Sequence, residues 1–243
     1  MTSRQISIAA VIVAAGRGVR MGITDRKQYM LLAGIPVLSH TVFAFDSCQA
    51  IDEIYLVIPD GEGDLCRTKV VEPLRLRKPL HMVAGGQSRQ ESVLRGLRAT
   101  KGRFDIICIH DGVRPLVSIG EITSTIHGAE RYGACVVGIP SVNSVKAVDK
   151  SDSVVATLKR ETVRLVQTPQ AFRYEVIYAA HMAARTDNYV GTDDAELVER
   201  HGRPVRVVPG SPRNIKITTR QDLVLAAALL DTAPEDIAVS KQR

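Results

Sequence analysis

The stretch "VIVAAGRGVRMGITDRKQY", Val11–Tyr29, opens apolar, passes through two glycines and then turns basic. Three different kinds of loop begin this way, and the choice among them decides the fold. A dinucleotide-binding fingerprint needs G-x-G-x-x-G, its third glycine letting a helix lie close to the strand. Gly16 and Gly18 are spaced for it, but Met21 holds the third position and Gly22 falls one residue late. The acid that would bind a ribose about 20 residues further on is also missing, since residues 36–46 read as a helix. No GK[ST] follows, which excludes a Walker A loop. The apolar run Ile8–Ala15 is short for an export signal and leads straight into a glycine-arginine loop. What remains is a set of small residues for close backbone approach, then Arg20 and Lys27, expected in an exposed loop. Backbone N–H groups of such a turn cradle phosphate oxygens. Arg20 binds them as a fork and Lys27 as a point charge. The plain alternative is a tight strand-to-helix turn with two surface cations.

Working outward, short β-branched runs alternate with helical patterns. Strands are expected at 8–15, 54–59, 81–85, 105–111, 134–140 and 205–210, and helices at 37–45, 88–100 and 120–130. Ser88 reads as an N-cap with Glu91 three residues on. The β-α-β-α order predicts an α/β fold: a doubly wound, mostly parallel, Rossmann-like sheet. One segment breaks the rhythm. Residues 141–161, "SVNSVKAVDKSDSVVATLKRE", alternate apolar and polar on both sides of a polar centre, which predicts an inserted β-hairpin. It reads equally as an edge hairpin or as a protruding dimerisation arm. The last dozen residues lose periodicity and are expected to fray.

The composition sets limits on partners and compartment. The 243 residues carry a net charge of +6 and 45% hydrophobic side chains, ordinary for a globular domain but favouring anionic partners. There is no Trp, only 4% aromatics and no block of five basic residues, so nucleic acid is not expected and phosphorylated small molecules are. The four cysteines, Cys48, Cys66, Cys108 and Cys135, form no CxxC pair, which points to a reducing, cytoplasmic setting without zinc. No apolar stretch is long enough to span a membrane.

Two further motifs carry chemistry. In "GGQSRQESVLRGL", Gly85 and Gly86 close the expected third strand and Ser88 opens a helix, where an open α/β sheet receives its ligand. Arg89 and Ser92 read equally as ordinary first-turn residues. In "IHDGVRP", Asp111 sits at the carboxyl end of the expected fourth strand, placed to reach a divalent cation on a polyphosphate; it reads equally as the cap of a turn. Arg160, Thr192 and Lys216 have no local reason to be related.

The ordered set "AAGRGVRM", "KQY", "GGQSRQESVLRGL", "HDGVRP", "QTPQAF", "TDDA" and "NIKIT" resembles the 2-C-methyl-D-erythritol 4-phosphate cytidylyltransferases, over about residues 9–230. The resemblance implies one nucleotidyltransferase domain of the GT-A-like type over residues 1–243. It also implies transfer of CMP from CTP, with Mg2+, to methylerythritol phosphate in the non-mevalonate isoprenoid pathway. Residue by residue, it implies that Ala14, Ala15, Gly16, Gly18, Arg20 and Lys27 hold the triphosphate. Gly86, Gln87 and Ser92 line the cytosine pocket, and Asp111 holds cytidine or the metal. Arg114, Ser144, Arg160, Thr192 and Lys216 surround the acceptor, and 141–161 becomes the arm of a homodimer that supplies acceptor contacts across the interface. Arg20, Lys27, Arg160 and Lys216 are the expected catalytic cations.

Three positions depart from the family pattern. Arg26 stands where proline is usual, an added cation compatible with phosphate. Asn143 and Ser144 replace an Asp-Thr pair, with Ser keeping the hydroxyl and Asn giving up a charge. Gly112 and Val113 stand where two small residues are frequent. The rival readings are a ribitol 5-phosphate cytidylyltransferase, whose first loop usually has two glycines where this chain has Ala15-Gly16, and, more remotely, a dinucleotide-binding oxidoreductase.

Overall fold

The computed structural model describes residues 6–16 and 26–232. In chain order, β1 (Ile8–Val13) is followed by a 3-10 turn (Lys27–Tyr29) and by the two-residue strands β2 (Leu31–Leu32) and β3 (Ile35–Pro36). Helix α1 (Val37–Ser47) and strand β4 (Glu53–Ile58) come next, then the short turns α2 (Gly63–Cys66) and α3 (Glu72–Leu74). They lead to β5 (Leu80–Ala84), α4 (Arg89–Ala99), β6 (Ile106–Asp111), α5 (Ile119–Tyr132) and β7 (Ala134–Pro140). A hairpin, β8 (Val145–Val148) and β9 (Val154–Leu158), precedes β10 (Arg164–Arg173). Helices α6 (Tyr174–Thr186) and α7 (Asp194–Arg200), strand β11 (Arg206–Pro209) and helix α8 (Arg220–Asp231) complete the order.

Seven strands form one sheet in the order β11-β7-β10-β6-β1-β4-β5. Strand β1 is central because its residues are almost all buried and apolar, as a parallel strand covered on both faces must be. Period-two alternation sends Ala10 and Ile12 to the layer that packs on α1 and α5, through Leu38, Val42, Phe45, Ile122 and Ile126. Ala9 and Val11 face the other layer, with Val93 and Leu97 of α4 and Ile177 and Ala180 of α6. All six expected strands are present, and the three expected helices run from 37 to 47, 89 to 99 and 119 to 132.

The sheet departs from the expected set in one strand. β10 lies inside the sheet, between β6 and β7 and antiparallel to both. Pro169 hides it in the sequence, because proline lacks the N–H a central strand needs. The register against β7 shifts between Val166 and Gln170, so Pro169 sits where the ladder is already broken. The expected hairpin stands as a separate two-stranded ribbon, with Val145 opposite Leu158. Its turn is closed by the Asp149 carboxylate, which accepts from the N–H groups of Ser151 and Ser153. The residues beyond 232, expected to fray, lie outside those described.

Candidate active site

A cavity of about 530 Å3 opens at the carboxyl ends of β1, β5 and β6. The chain order reverses there, with β1 lying between β4 and β6, as expected of a ligand crevice in an open α/β sheet. Ala14, Ala15 and Gly16 leave β1 to form one wall, and Gly86, Gln87 and Ser88 lead from β5 into α4 to form another. The walls approach closely because two glycines permit it. A Cβ on Gly85 would collide with that of Ala15, and one on Gly112 would lie 2.9 Å from Ala14 Cβ and Leu38 Cδ1. The Ser92 hydroxyl accepts from Gly86 N–H (3.0 Å) and donates to the Ser88 carbonyl (2.8 Å), fixing the turn below the cavity. Ser88 caps α4 by accepting from Glu91 N–H, as its spacing predicts.

The floor carries charge. Asp111 ends β6, is 6% exposed, and meets three cations. Arg89 Nε lies 3.0 Å from one carboxylate oxygen, while Lys216 Nζ (2.8 Å) and Arg114 Nε (3.7 Å) approach the other. Burial by itself raises the Asp111 carboxyl; Arg89, Lys216 and Arg114 outweigh it and hold the group well below the usual carboxylate range. Burial likewise works against the charge on Arg89, but Asp194 and Asp111 more than compensate and keep it protonated. Lys216 is placed by its neighbour Ile217, which is fully buried and donates its N–H to the Val113 carbonyl. Lys27 reaches the same segment, its Nζ donating to the Thr218 carbonyl at 2.7 Å. Lys27 sits in a half-buried 3-10 turn, not in the exposed loop expected of it.

His110, beside Asp111, is fully buried with both ring nitrogens hydrogen-bonded. Its Nδ1 accepts from the Thr168 hydroxyl (3.0 Å) and its Nε2 donates to the Arg114 carbonyl (3.2 Å), a pairing that needs one neutral tautomer. Burial pushes its pKa down to about 3. Thr168 also accepts Asp111 N–H, so the imidazole braces the strand end that carries the carboxylate.

Of the residues singled out in the sequence, Ala14, Ala15, Gly16, Lys27, Gly86, Gln87, Ser92, Asp111 and Lys216 all line this cavity. Gly18 and Arg20 lie outside the described residues. Arg114 is tucked behind Asp111, donating to the Asn214 carbonyl at 2.7 Å. The remaining three do not line the cavity. Ser144 and Arg160 flank the base of the β8–β9 ribbon, and Arg160 is 60% exposed beside Glu161. Thr192 is exposed on the loop before α7, where its hydroxyl donates to Glu196. Arg26, compatible with phosphate by its charge, is paired with Glu62 instead. Arg89 also lines the cavity and pairs with Asp194. From the sequence Arg89 reads equally as an ordinary first-turn residue, and Asp194, inside the "TDDA" motif, is assigned no role of its own.

Glycine-permitted backbone walls, two lysines and a caged aspartate at a sheet's switch point define a nucleotidyltransferase cleft. Family-level comparison matches residues 8–232 to IspD, 2-C-methyl-D-erythritol 4-phosphate cytidylyltransferase. The chain is 47% identical to a protein of that name from Pelotomaculum thermopropionicum, over 92% of this chain and 94% of the relative. It is 48% identical to one from Geobacter metallireducens, over 93% and 98%. Among solved structures, 4-diphosphocytidyl-2C-methyl-D-erythritol synthase from Anaerococcus prevotii superposes with a TM-score of 0.85 at 33% identity, over 94% of this chain and 97% of that one. The Thermus thermophilus cytidylyltransferase gives 0.75 at 32%, over 94% and 100%. The chain belongs to the 2-C-methyl-D-erythritol 4-phosphate cytidylyltransferase family and is a cytidylyltransferase.

Proposed function

We propose that this cleft transfers CMP from CTP to 2-C-methyl-D-erythritol 4-phosphate and releases pyrophosphate, with the nucleotide and the acceptor held by different parts of the chain. The observation that carries the reading is the convergence of Lys27, Lys216 and the Ala14–Gly16 backbone on one cavity that also receives Gly86, Gln87 and Ser92. The glycine-rich walls suit the triphosphate and base, which need N–H donors at short range. The acceptor's phosphate monoester is already largely anionic at pH 7, its second pKa being about 6, so attack on the α-phosphorus needs no strong base. The task is to hold two anions together and neutralise the charge that accumulates. Lys27, Lys216, Arg20 and Arg160 are assigned to that task, and a neutral, structural His110 is consistent with it. Arg114, Ser144 and Thr192 are assigned to the acceptor.

The donor set also bears on Mg2+. Among the described residues, Asp111 is the sole carboxylate lining the cavity, and no group of three His, Cys, Asp or Glu side chains could hold a metal. These residues fit a divalent cation that takes most of its ligands from the nucleotide's phosphates and one from Asp111, not a resident metal centre. Such a cation would supply charge neutralisation at the phosphates. The arm supports a homodimer: Val148, Val154, Val155 and Leu158 are 46–63% exposed on a ribbon with no sheet behind it. In this reading the whole chain is one catalytic domain with an inserted arm, acting in the cytoplasm; among the described residues no helix is long and apolar enough to cross a membrane.

The test is turnover by the purified protein with CTP, Mg2+ and either methylerythritol phosphate or ribitol 5-phosphate. Methylerythritol phosphate is expected to be the preferred acceptor; preference for ribitol 5-phosphate would overturn the reading.

A further inference from the structure

The first two residues of α4 reach in a direction that the nucleotide site alone does not require. Arg89 contacts Asp111 through Nε and, through Nη1, the buried Asp194 at 2.8 Å. The other Asp194 oxygen meets His181 Nε2 at 3.0 Å, and both of these side chains are almost fully buried. Gln90 clamps the same region from the other side. Its Nε2 donates to the Tyr189 carbonyl (3.0 Å), and its Oε1 accepts from Gly191 N–H (3.1 Å). Residues 86–88, immediately before this pair, line the cavity, whereas residues 189–193 form the loop that carries Thr192, and Asp194 opens α7.

Two of the three cations on Asp111 therefore differ in freedom. Lys216 is 41% exposed and has no other partner among the described residues, so it can turn toward phosphate. Arg89 is bound at both ends and cannot. A planar fork spanning two carboxylates is a geometry that lysine's point charge does not reproduce.

We propose that Arg89 and Gln90 are positioning residues that lock the nucleotide half of the cleft to the Thr192 loop, with Arg89 keeping Asp111 in place when Lys216 moves to the phosphates. This rests on the assignment of Thr192 to the acceptor and of Lys216 to the transfer. Gln90 tests the lock without burying an unpaired charge. Gln90→Ala is expected to raise the acceptor KM roughly two- to tenfold, the effect of losing a hydrogen bond or two. CTP affinity by calorimetry and the melting temperature should stay at their wild-type values. Arg89→Lys is expected to lower kcat/KM by about 10²-fold, the effect of a small misplacement of reacting groups. Hydrogen exchange supplies a readout that needs no acceptor. CTP should slow exchange of the 189–194 amides in the wild type and fail to do so in Gln90→Ala, even if Thr192 never touches the acceptor. An unchanged acceptor KM together with CTP protection of that loop in Gln90→Ala would overturn the proposal. So would a rise in the KM of both substrates that merely follows a lowered melting temperature. Should Arg89→Lys not fold, the Gln90 results decide alone.

Discussion

Asp111 and Arg160 are charged side chains assigned to one reaction, and their surroundings are opposite. Asp111 is buried, met by three cations, and braced from behind by Thr168 and His110. Arg160 is 60% exposed at the foot of a ribbon whose Val148, Val154, Val155 and Leu158 are 46–63% exposed. The described part of the proposed nucleotide half is thus held by contacts within one molecule, its cost of ordering met during folding. The acceptor half, as assigned, is split: Arg114 packs behind Asp111, whereas Ser144, Arg160 and Thr192 are spread over the arm and the loop before α7, and nothing among the described residues gathers them. The difference teaches that nucleotide binding and acceptor binding should respond separately to perturbation.

The largest expected effect falls on the preorganised half. Lys27→Ala should lower kcat by about 10²–10³-fold, by analogy with removing one charge-stabilising donor from a transition state. The fold should be preserved, because Lys27 occupies a short turn and not the core. A near-normal rate would remove Lys27 from the site. Arg160→Ala should act on the other half, raising the acceptor KM by roughly ten- to a hundredfold, in keeping with a hydrogen bond to a charged group. Steady-state kinetics with each substrate varied in turn separates the two; selective loss of CTP binding in Arg160→Ala would collapse the distinction.

A smaller effect concerns the brace itself. His110 has an ordinary pKa of 6.5 and is held at about 3 in the folded chain by burial. Between these values the unfolded chain takes up a proton that the native chain refuses. Stability from this group is complete above pH 6.5 and is lost as the pH falls toward 3, at a slope of at most about 1.4 kcal/mol per pH unit. Asp111, held low by its cations despite burial, adds a second loss only below its unfolded pKa of about 4. Urea unfolding at pH 7 and pH 5 should show the first slope in the wild type and not in His110→Gln. Equal slopes would mean that the imidazole is not the titrating group.

Much of this architecture is legible in the sequence, for a physical reason. Buried parallel strands write themselves as continuous β-branched runs, so the central strands and the position of Asp111 at a strand end follow from local pattern. Pro169 conceals β10 because the feature that tolerates it, a break in register against β7, is a property of the pairing and not of the segment. The partner of Arg89 lies 105 residues away, and that of Arg26 is Glu62, so neither the buried charge chain nor the pairing of Arg26 has a local signature. Ser144, Arg160 and Thr192 reached the candidate set by resemblance alone, and the cavity collects none of them.

The most direct test of the contrast is an arm variant, Val155→Asp with Leu158→Asp, compared with the wild type for mass in solution, CTP affinity by calorimetry and turnover. A preorganised nucleotide half and an acceptor half completed by a second copy predict a wild-type dimer and a monomeric variant of 26.5 kDa that binds CTP as the wild type does but has lost turnover. A monomer with wild-type turnover, or one that no longer binds CTP, would contradict the account.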